Sequence, residues 1–409
     1  MKILYICSTD MSGETGSLGS VRHIMEVSGN LQRLGNQVKL IVPKYARYNQ
    51  PTDVNLIYVP IIRVRFLRTL LYECLSPLFF LFYTFFWKPD VIYWRQAYLT
   101  IFPVLLSRLI GKKIVTEVNG LTIDEVNSEP LGRFRKNIIL KFEKYNYENS
   151  SHLICVAPQI KQRIIEHYSL SPEKLTVILN GVNSDKMPLL DVEEAKRKID
   201  IDPDKAVIGF VGHFFPWDGI EFLIDAADKV ISQKSEVMFL IVGHGRWGEH
   251  LQSLVRKRGL TEYFNFTGKI PWEELYVYVN AFDVATAPYS MEINTQSGRS
   301  SLKILEYFAC EKPVVASKTE VIPEVLDIDE KELGITVRAE DSQILADAIL
   351  RLLEDKDLRT RMGQGGRNYV VKERSWEKVA ADIQGILGNL VYTGSQLKST
   401  IINNVNLRN

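Results

Sequence analysis

The stretch "SSLKILEYFACEKPVVAS", residues 300–317, joins a helical pattern to a short apolar run. The helical part ends at the turn 311–313, and residues 314–316 have the β-branched composition of a buried strand. A helix that leads directly into a buried strand is half of a βαβ unit. Where such helix–strand units alternate along a chain, they predict a parallel sheet that is covered by helices on both faces.

Lys303 and Glu306 lie three residues apart on this predicted helix, and two interpretations of them are open. One is an ordinary solvated ion pair, which stabilises a helix by about 0.2–0.5 kcal/mol. The other is a helix turn that faces a ligand, in which the ammonium binds a phosphate and the carboxylate accepts hydrogen bonds from sugar hydroxyls. The motifs in the rest of the sequence are needed to distinguish these two interpretations.

Short β-branched runs alternate with longer amphipathic segments along most of the chain, and the alternation restarts after the polar stretch 183–205. We therefore predict an α/β protein with two doubly wound domains, 1–183 and 184–374. A last helix, 375–391, is expected to cross back to the first domain, and 392–409 is a polar tail. The predicted strands are 2–7, 37–43, 55–60, 90–94, 113–118, 152–157 and 175–180 in the first domain, and 206–212, 237–243, 283–288 and 313–317 in the second.

The composition argues against several classes of protein. The 409 residues contain 50 basic and 49 acidic side chains, a balance that speaks against a nucleic-acid-binding protein. Four isolated cysteines and six histidines show neither a CxxC nor an HxxxH spacing, so we expect neither a disulfide framework nor a built-in metal site. The N-terminus lacks the pattern of a signal peptide, and we expect a cytoplasmic protein.

Glycine-rich loops follow several of the predicted strands, where ligands bind in such sheets. Gly13, Gly16 and Gly19 follow the first strand, and their backbone amides could approach a phosphate at the start of a helix. Their spacing differs from the dinucleotide fingerprint, and a flexible loop is the alternative interpretation. The segments 212–226, 242–251 and 266–275 repeat the order of strand, glycine and helix start.

The order of these motifs resembles a known family. The motifs "FVGHFFPWDGIEFLIDA" (210–226), "FLIVGHG" (239–245), "FTGKIP" (266–271), "AFDVATAPY" (281–289) and "SSLKILEYFACEKPVVAS" (300–317) are similar to the nucleotide-sugar half of retaining GT-B glycosyltransferases of family 4. The first half agrees with this in "DVIYWRQ" (90–96), "VTEVNG" (115–120), "HLICVAPQIKQRI" (152–164) and "VILNGVN" (177–183). The resemblance implies two Rossmann-like domains facing a cleft, an N-terminal acceptor domain, and a hexosyltransferase that uses a nucleotide sugar.

The resemblance also implies roles for individual residues of the donor site. Glu306 would bind the ribose hydroxyls, and Lys303 would be catalytic through its contact with the diphosphate. The remaining expected donor-binding residues lie in loops after strands: Gly19, His213, Gly268, Lys269, Ile270, Asn294, Thr295, Gln296, Gly298 and Arg299.

Three positions depart from the pattern of the family. Gly298 stands where many members have a second glutamate, so sugar contacts are expected from backbone amides or from residues 294–296. His213 and Asp218 stand in a loop where many members carry Arg and Lys, which leaves the phosphate charge to Lys303 and Arg299. Asn119 replaces a histidine that some relatives place near the transferred sugar, and it cannot act as a base at neutral pH.

Glu117 and Arg95 lie near Asn119 in the predicted sheet and are candidates for the acceptor side. We expect catalytic or acceptor contacts from Glu117, Asn119 and Arg95, and a buried structural ion pair of Glu117 with Arg95 is the alternative. The sequence offers no DxD motif at a strand end, so we expect no metal and no other cofactor. Within the resemblance, retaining transfer would proceed with the departing phosphate helping to deprotonate the acceptor, without an enzymic nucleophile.

The most apolar segment is "TLLYECLSPLFFLFYTFFW", residues 69–87. Its 19 residues approach the length of a membrane span, but Glu73 and Pro77 interrupt it. A buried core helix, an interfacial helix flanked by basic residues and a true span are the three alternatives. If the acceptor is lipid-linked, peripheral contact with the inner face of the plasma membrane through 63–88 is expected.

Three other functions compete with sugar transfer. They are a sugar-nucleotide epimerase, a phosphorylase, and a catalytically silent protein that binds a glycan or a partner.

Overall fold

The computed structural model describes residues 1–11, 18–45, 52–61, 64–97, 99–122, 133–291, 300–319, 328–329 and 331–392. Tertiary contacts divide the chain into two compact units. The N-terminal unit comprises Met1–Leu179 together with Trp376–Asn409, and the C-terminal unit comprises Asn180–Ser375.

The N-terminal unit contains a seven-stranded parallel sheet with the strand order β3-β2-β1-β4-β5-β6-β7 in the described residues. The strands are β1 (Lys2–Ile6), β2 (Gln37–Pro43), β3 (Asn55–Val59), β4 (Val91–Arg95), β5 (Ile114–Val118), β6 (His152–Cys155) and β7 (Leu175–Val177). The helices are α1 (Leu18–Arg33), α2 (Arg65–Phe86), α3 (Phe102–Leu109), α4 (Arg133–Asn149) and α5 (Pro158–Tyr168). The direction of the strand order reverses between β1 and β4, so ligands are expected beyond the carboxyl ends of these two strands.

The C-terminal unit repeats this architecture with a six-stranded parallel sheet in the described residues, ordered β10-β9-β8-β11-β12-β13. Its strands are β8 (Ala206–His213), β9 (Val237–His244), β10 (Phe264–Gly268), β11 (Val284–Ala287), β12 (Val314–Lys318) and β13 (Gly334–Arg338). Its helices are α6 (Val192–Lys198), α7 (Ile220–Gln233), α8 (Gly248–Lys257), α9 (Leu275–Asn280), α10 (Leu302–Ala309), α11 (Ser342–Glu354) and α12 (Lys356–Glu373). The order reverses between β8 and β11.

The last helix, α13 (Trp376–Val391), belongs to the N-terminal unit and packs against α1. The His23 and Trp376 rings meet edge to face, with their centroids 5.3 Å apart. Gln384 also donates a hydrogen bond to the backbone oxygen of Leu34. A helix that follows the whole C-terminal unit in sequence therefore completes the first unit.

The structure changes several details of the sequence interpretation, and strand β10 (Phe264–Gly268) was indicated only by the order of strand, glycine and helix start in 266–275. Helix α1 begins at Leu18, so Gly19 lies in its first turn and not in the preceding loop, while Gly13 and Gly16 lie outside the described residues. Strand β13 has the sequence GITVR and was not predicted, because it is short and only two of its five residues are buried. Parallel pairing with β12 along its whole length gives it a place in the sheet.

The apolar segment 69–87 forms most of α2, and its two faces differ. Tyr72 and Phe80 are buried in the core of the N-terminal unit. On the opposite side, Leu78 is 61% exposed, Phe82 is 53% exposed and Phe86 is 76% exposed. The core interpretation therefore holds for one face only. None of the helices in the described residues is both long and apolar enough to span a membrane.

Glu73 lies on α2 and gives a prediction about pH. Burial raises the pKa of Glu73 to about 7, although Thr100 donates it a 2.6 Å hydrogen bond. The folded protein thus keeps this proton up to about pH 7, whereas the unfolded chain releases it above its usual pKa of about 4.5. The contribution of Glu73 to the free energy of unfolding is therefore fully present below about pH 4.5, and it falls by roughly 3 kcal/mol as the pH rises to 7.

Glu73→Gln is therefore expected to raise the thermal unfolding midpoint at pH 8 and to leave it unchanged at pH 4. A glutamine at this position keeps a side-chain oxygen that can accept the hydrogen bond from the Thr100 hydroxyl. The matched control is Glu148→Gln, because Glu148 is a half-exposed carboxylate on α4. An equal midpoint for wild type and Glu73→Gln at pH 8 would show that the carboxyl is not desolvated.

Candidate active site

Lys303 lies at the reversal point of the C-terminal sheet. It is the second residue of α10, and its Nζ lies 2.6 Å from Asp218 Oδ1, on the turn that follows β8. The side chains of Lys303 and Asp218 are only 13% and 10% exposed. The solvated pair of Lys303 with Glu306 is therefore a wrong interpretation, since the ammonium pairs with a carboxylate on another element.

Two aromatic rings enclose the same ammonium. Lys303 Nζ lies 4.2 Å from the centre of the Phe210 ring and 5.0 Å from that of Tyr289. These rings come from β8 and from the loop after β11, the two strands between which the strand order reverses. Cation–π contacts of this kind attract a cation and fix its position. The sheet thus places one oriented positive charge where ligands of such sheets bind.

Two glycines make this arrangement possible. A Cβ atom at Gly212, near the end of β8, would lie 2.9 Å from Lys303 Nζ. Gly219 follows Asp218 with a φ of 68°, and a Cβ atom there would lie 1.9 Å from the backbone oxygen of Pro288. The first glycine leaves room for the ammonium, and the second lets the turn that carries Asp218 approach the end of β11.

Glu306 lies one turn after Lys303 and is 4% exposed. The prediction that Glu306 binds the ribose hydroxyls stays a prediction. Helix α10 contacts β11, β12 and α12, and every residue from Ile304 to Ala309 is buried.

The other described donor candidates lie at the ends of β8, β9 and β10. His213 is exposed, and its ring lies 4.8 Å from that of His244, its register partner on β9. Partial desolvation of the ring, and then the charge of His244, lower the pKa of His213, so that it is mostly neutral at pH 7. His213 therefore adds a hydrogen-bonding group to this edge more than a charge.

The loop after β10 carries three further candidates. Gly268 ends the strand with a φ of 71°, Lys269 is exposed, and Ile270 packs partly against the core. Asn294, Thr295, Gln296, Gly298 and Arg299 lie outside the described residues.

Glu117 is the centre of a buried polar cluster in the N-terminal unit. Arg95 and Asn119 each donate to its Oε1 over 2.6 Å, His23 Nε2 lies 2.9 Å away, and the hydroxyl of Tyr93 donates to Oε2. Arg95 and Glu117 are direct register partners at the carboxyl ends of β4 and β5. The structure thus shows the ion pair that was the alternative to a catalytic role for Glu117.

The protonation of Glu117 follows from these contacts. Burial by itself would raise its pKa, but the charges of His23 and Arg95 and the surrounding hydrogen bonds hold the pKa of Glu117 well below its usual range. A carboxylate that is so strongly stabilised in its ionised form is a weak base. Its clear effect is to orient Arg95 and Asn119, the two predicted acceptor residues.

A second buried carboxylate, Glu143 on α4, was not predicted. It accepts hydrogen bonds from the backbone of Thr122 over 2.8 Å, from Gln96 over 3.3 Å, and from the hydroxyls of Tyr147 and Tyr168. Gln96 follows β4 and Thr122 follows β5. Glu143 therefore fixes the segments that directly follow Arg95 at the end of β4 and Asn119 after β5, a role that no local sequence pattern indicates.

Comparison with known proteins gives the family. The model of glycosyl transferases group 1 matches residues 191–387, and that of glycosyltransferase family 4 matches residues 18–186. The chain belongs to the family 4 glycosyltransferases. An uncharacterized glycosyltransferase of Methanocaldococcus jannaschii is 24% identical over 285 residues, which cover 69% of this chain and 70% of that protein.

Solved structures agree with the GT-B fold of this glycosyltransferase. Sucrose-phosphate synthase of Thermosynechococcus elongatus superimposes with a TM-score of 0.75 at 21% identity, over 95% of this chain and 98% of the other. The HepE protein of Anabaena, crystallised with UDP and glucose, gives a TM-score of 0.73 at 16% identity and covers 95% and 100% of the two chains.

The described residues of the glycosyltransferase contain no cluster of three or more His, Cys, Asp and Glu side chains that could hold a metal ion. All four cysteines lie within the described residues, and none of them forms a disulfide. The positive charge that the described part of the C-terminal unit places at its reversal point is that of Lys303.

Proposed function

We propose that this glycosyltransferase moves a sugar, with retention of configuration, from a nucleoside-diphosphate sugar to a glycan or lipid-linked acceptor in cell-surface polysaccharide biosynthesis. The observation that carries the proposal is the oriented ammonium of Lys303 at the reversal point of the C-terminal sheet. A diphosphate leaving group gains negative charge as the glycosidic bond breaks, and a fixed cation stabilises that charge.

The donor would bind to the C-terminal unit. Lys303 would contact the diphosphate, Glu306 the ribose, and the loop from Gly268 to Ile270 the base. His213 would donate a hydrogen bond to the phosphate or to the sugar. The Anabaena protein that was crystallised with UDP and glucose has the same fold, which supports a donor of this class.

The acceptor would bind to the N-terminal unit. Arg95 and Asn119 are held by Glu117 at the carboxyl ends of β4 and β5, with contacts of 2.6 Å each. Their orientation suits the recognition of hydroxyl or anionic groups. Asn119 would hydrogen-bond a sugar hydroxyl, and it would not remove its proton.

The reaction then needs neither an enzymic nucleophile nor a metal ion. The acceptor hydroxyl would attack on the face that the diphosphate leaves, and a departing phosphate oxygen would take the proton. The new bond thus forms on the side of the old one, which retains the anomeric configuration. The protein contributes the cation, the orientation of both substrates and the exclusion of water.

A panel of UDP-, GDP- and ADP-sugars with candidate acceptors tests this function. Release of nucleoside diphosphate together with an acceptor product of retained configuration, read by NMR, is expected for one donor. Activity should persist in EDTA. Release of a changed nucleotide sugar would identify an epimerase, phosphate-dependent release of a sugar phosphate would identify a phosphorylase, and silence with all donors would identify a binding protein.

The ribose assignment gives a prediction for Glu306. Because this side chain is buried, Glu306→Gln is the appropriate change, since Ala would leave a cavity. The carboxylate would accept hydrogen bonds from the ribose hydroxyls, and loss of its charge should weaken UDP binding by about 1.5–3 kcal/mol, which is about 10- to 150-fold. Calorimetry with UDP measures this, and Glu311→Gln just after the same helix is the control. Unchanged UDP affinity would refute the assignment to ribose.

We also propose that the protein attaches peripherally to anionic membranes, where a lipid-linked acceptor would be found. The contact surface is an apolar stripe on α2 and α3, two helices that pack together. Its members are exposed large apolar residues: Leu70, Leu78, Phe82, Phe85 and Phe86 on α2, and Leu105 and Leu109 on α3. Lys88 and Arg108 are exposed beside the stripe, where they suit anionic head groups.

Liposome flotation is expected to recover the wild type with phosphatidylglycerol vesicles, and less of it at high salt. Leu78/Phe82/Phe86→Ser should reduce recovery at least about tenfold, because each large apolar side chain contributes about 1.5–3 kcal/mol when fully buried. Phe79 is left intact because it packs against the core. The control variant, Leu189/Ile344/Val371→Ser, removes three exposed apolar side chains from the C-terminal unit. Equal flotation of both variants would exclude the apolar stripe as the contact.

A further inference from the structure

The ion pair of Asp218 and Lys303 is unusual because a carboxylate lies beside the cation that the reaction needs. The two charges are 2.6 Å apart and nearly enclosed by protein. Burying an ion pair has a large desolvation cost, and apolar side chains of similar size often give equal or higher stability. Stability therefore does not account for the pair.

The structure fixes Asp218 rigidly. It ends the short helical turn Pro216–Asp218, and its backbone N–H donates to the oxygen of Phe215 over 3.0 Å. Ser290 donates from its backbone to the oxygen of Trp217 over 3.2 Å, which ties this turn to the segment after β11. Gly219 allows the close approach to Pro288 described above. The carboxylate of Asp218 is thus a fixed point toward which Lys303 is drawn.

Among the described residues, Asp218 and Glu306 are the two carboxylates that can be compared as partners of Lys303. Glu306 lies one helical turn further along α10, at a spacing that commonly forms ion pairs. The ammonium lies instead against Asp218, above Gly212 and between Phe210 and Tyr289. Asp218 therefore draws the cation toward the carboxyl ends of β8 and β11 and away from the carboxylate proposed to bind ribose.

We propose that Asp218 is a positioning residue of the transfer reaction, which holds the Lys303 ammonium in the place that the leaving diphosphate will occupy beside it. This inference rests on the proposed function. An ammonium has three N–H donors, so a bond to Asp218 is compatible with a bond to a phosphate oxygen. Asp218 itself touches no reacting atom in this scheme and acts through Lys303.

The pair has a distinct kinetic consequence. Because the carboxylate offsets the charge of the ammonium, it limits the attraction for the ground-state diphosphate. As negative charge grows on the leaving group, an ammonium already in place interacts more strongly without reorganisation. Interactions realised mainly in the transition state change kcat more than KM. The loss of Asp218 should therefore appear mainly in kcat.

The experiment compares wild type, Asp218→Asn, Lys303→Ala and the double variant with the donor that the panel identifies. Asn keeps the size of the side chain and one oxygen acceptor, so the turn should remain intact. Asp218→Asn is expected to lower kcat about 10- to 100-fold while the KM for the donor stays within about threefold. In the Lys303→Ala background, the same change should have less than about twofold further effect.

Asp225→Asn is the matched control and should leave kcat unchanged, because Asp225 on α7 of the same unit forms a partly exposed ion pair with Arg258, which follows α8. Three results would overturn the inference: an unchanged or higher kcat for Asp218→Asn, effects of Asp218 and Lys303 that multiply in the double variant, or a loss of activity that follows only a lower melting temperature. A wild type that is silent with every donor refutes the proposed function, and this inference falls with it. An active wild type with a fully active Asp218→Asn refutes the inference alone.

Discussion

Lys303→Ala is expected to lower kcat for sugar transfer about 100- to 1,000-fold, with a smaller change in the KM for the donor. Removal of one preorganised group that stabilises developing charge has effects of this size in other enzymes. The ammonium of Lys303 is preorganised in this sense, because Asp218, Phe210 and Tyr289 hold it at the reversal point of the sheet. Steady-state kinetics with the identified donor measure both constants.

The control for this prediction must separate charge at the site from the stability of the fold. Lys303→Ala leaves Asp218 buried without its partner, whereas Lys303→Ala with Asp218→Asn removes both charges together. Both variants should lose kcat equally, although the double variant should unfold at a higher temperature. Lys257→Ala removes an exposed lysine on α8 and should leave kcat unchanged. Activity of Lys303→Ala within twofold of wild type would mean that another group stabilises the leaving diphosphate.

The fold could be predicted largely from local patterns. Buried parallel strands are continuous apolar runs, so "KILYIC" and "VMFLIVG" are recognisable without any tertiary information. In helix α2, however, the local pattern does not predict which face is buried. Its sequence is apolar throughout 78–82, yet Leu78 and Phe82 are exposed while Phe80 is fully buried. Which face of such a helix packs inward depends on neighbours that are distant in the chain.

The site could be predicted less completely, for a physical reason. Lys303 and Glu306 lie in one short motif, so a sequence pattern can identify them together. Asp218 is 85 residues away from Lys303, and no local signal connects the two. In the same way, His23 on α1 is 94 residues away from Glu117 on β5. Parallel sheets bring the ends of distant strands together, so the partners of functional residues are set by topology and not by spacing.

Glu117→Ala is expected to destabilise the N-terminal unit by about 3–5 kcal/mol, because it leaves the Arg95 guanidinium buried without its partner and removes the hydrogen bond to the His23 ring. Glu117→Gln should show a similar direction of effect, since an amide keeps the shape of the side chain but loses the charge. Hydrogen exchange in peptides from β4 and β5 reports the opening of this unit by itself. Glu148→Ala, which removes a half-exposed carboxylate on α4, is the control and should change little.

The pH dependence gives this last prediction its sign. The pKa of Glu117 is lowered in the folded protein, so its contribution to stability is fully present above the usual pKa of a glutamate and is lost as the pH falls. Wild type should therefore lose protection in β4 and β5 between about pH 5 and pH 3, whereas Glu117→Gln should vary less over the same range. A catalytic base would behave differently. If Glu117→Gln abolished turnover while exchange in β4 and β5 stayed at the wild-type rate at every pH, Glu117 would be a reacting group and not the anchor of Arg95 and Asn119.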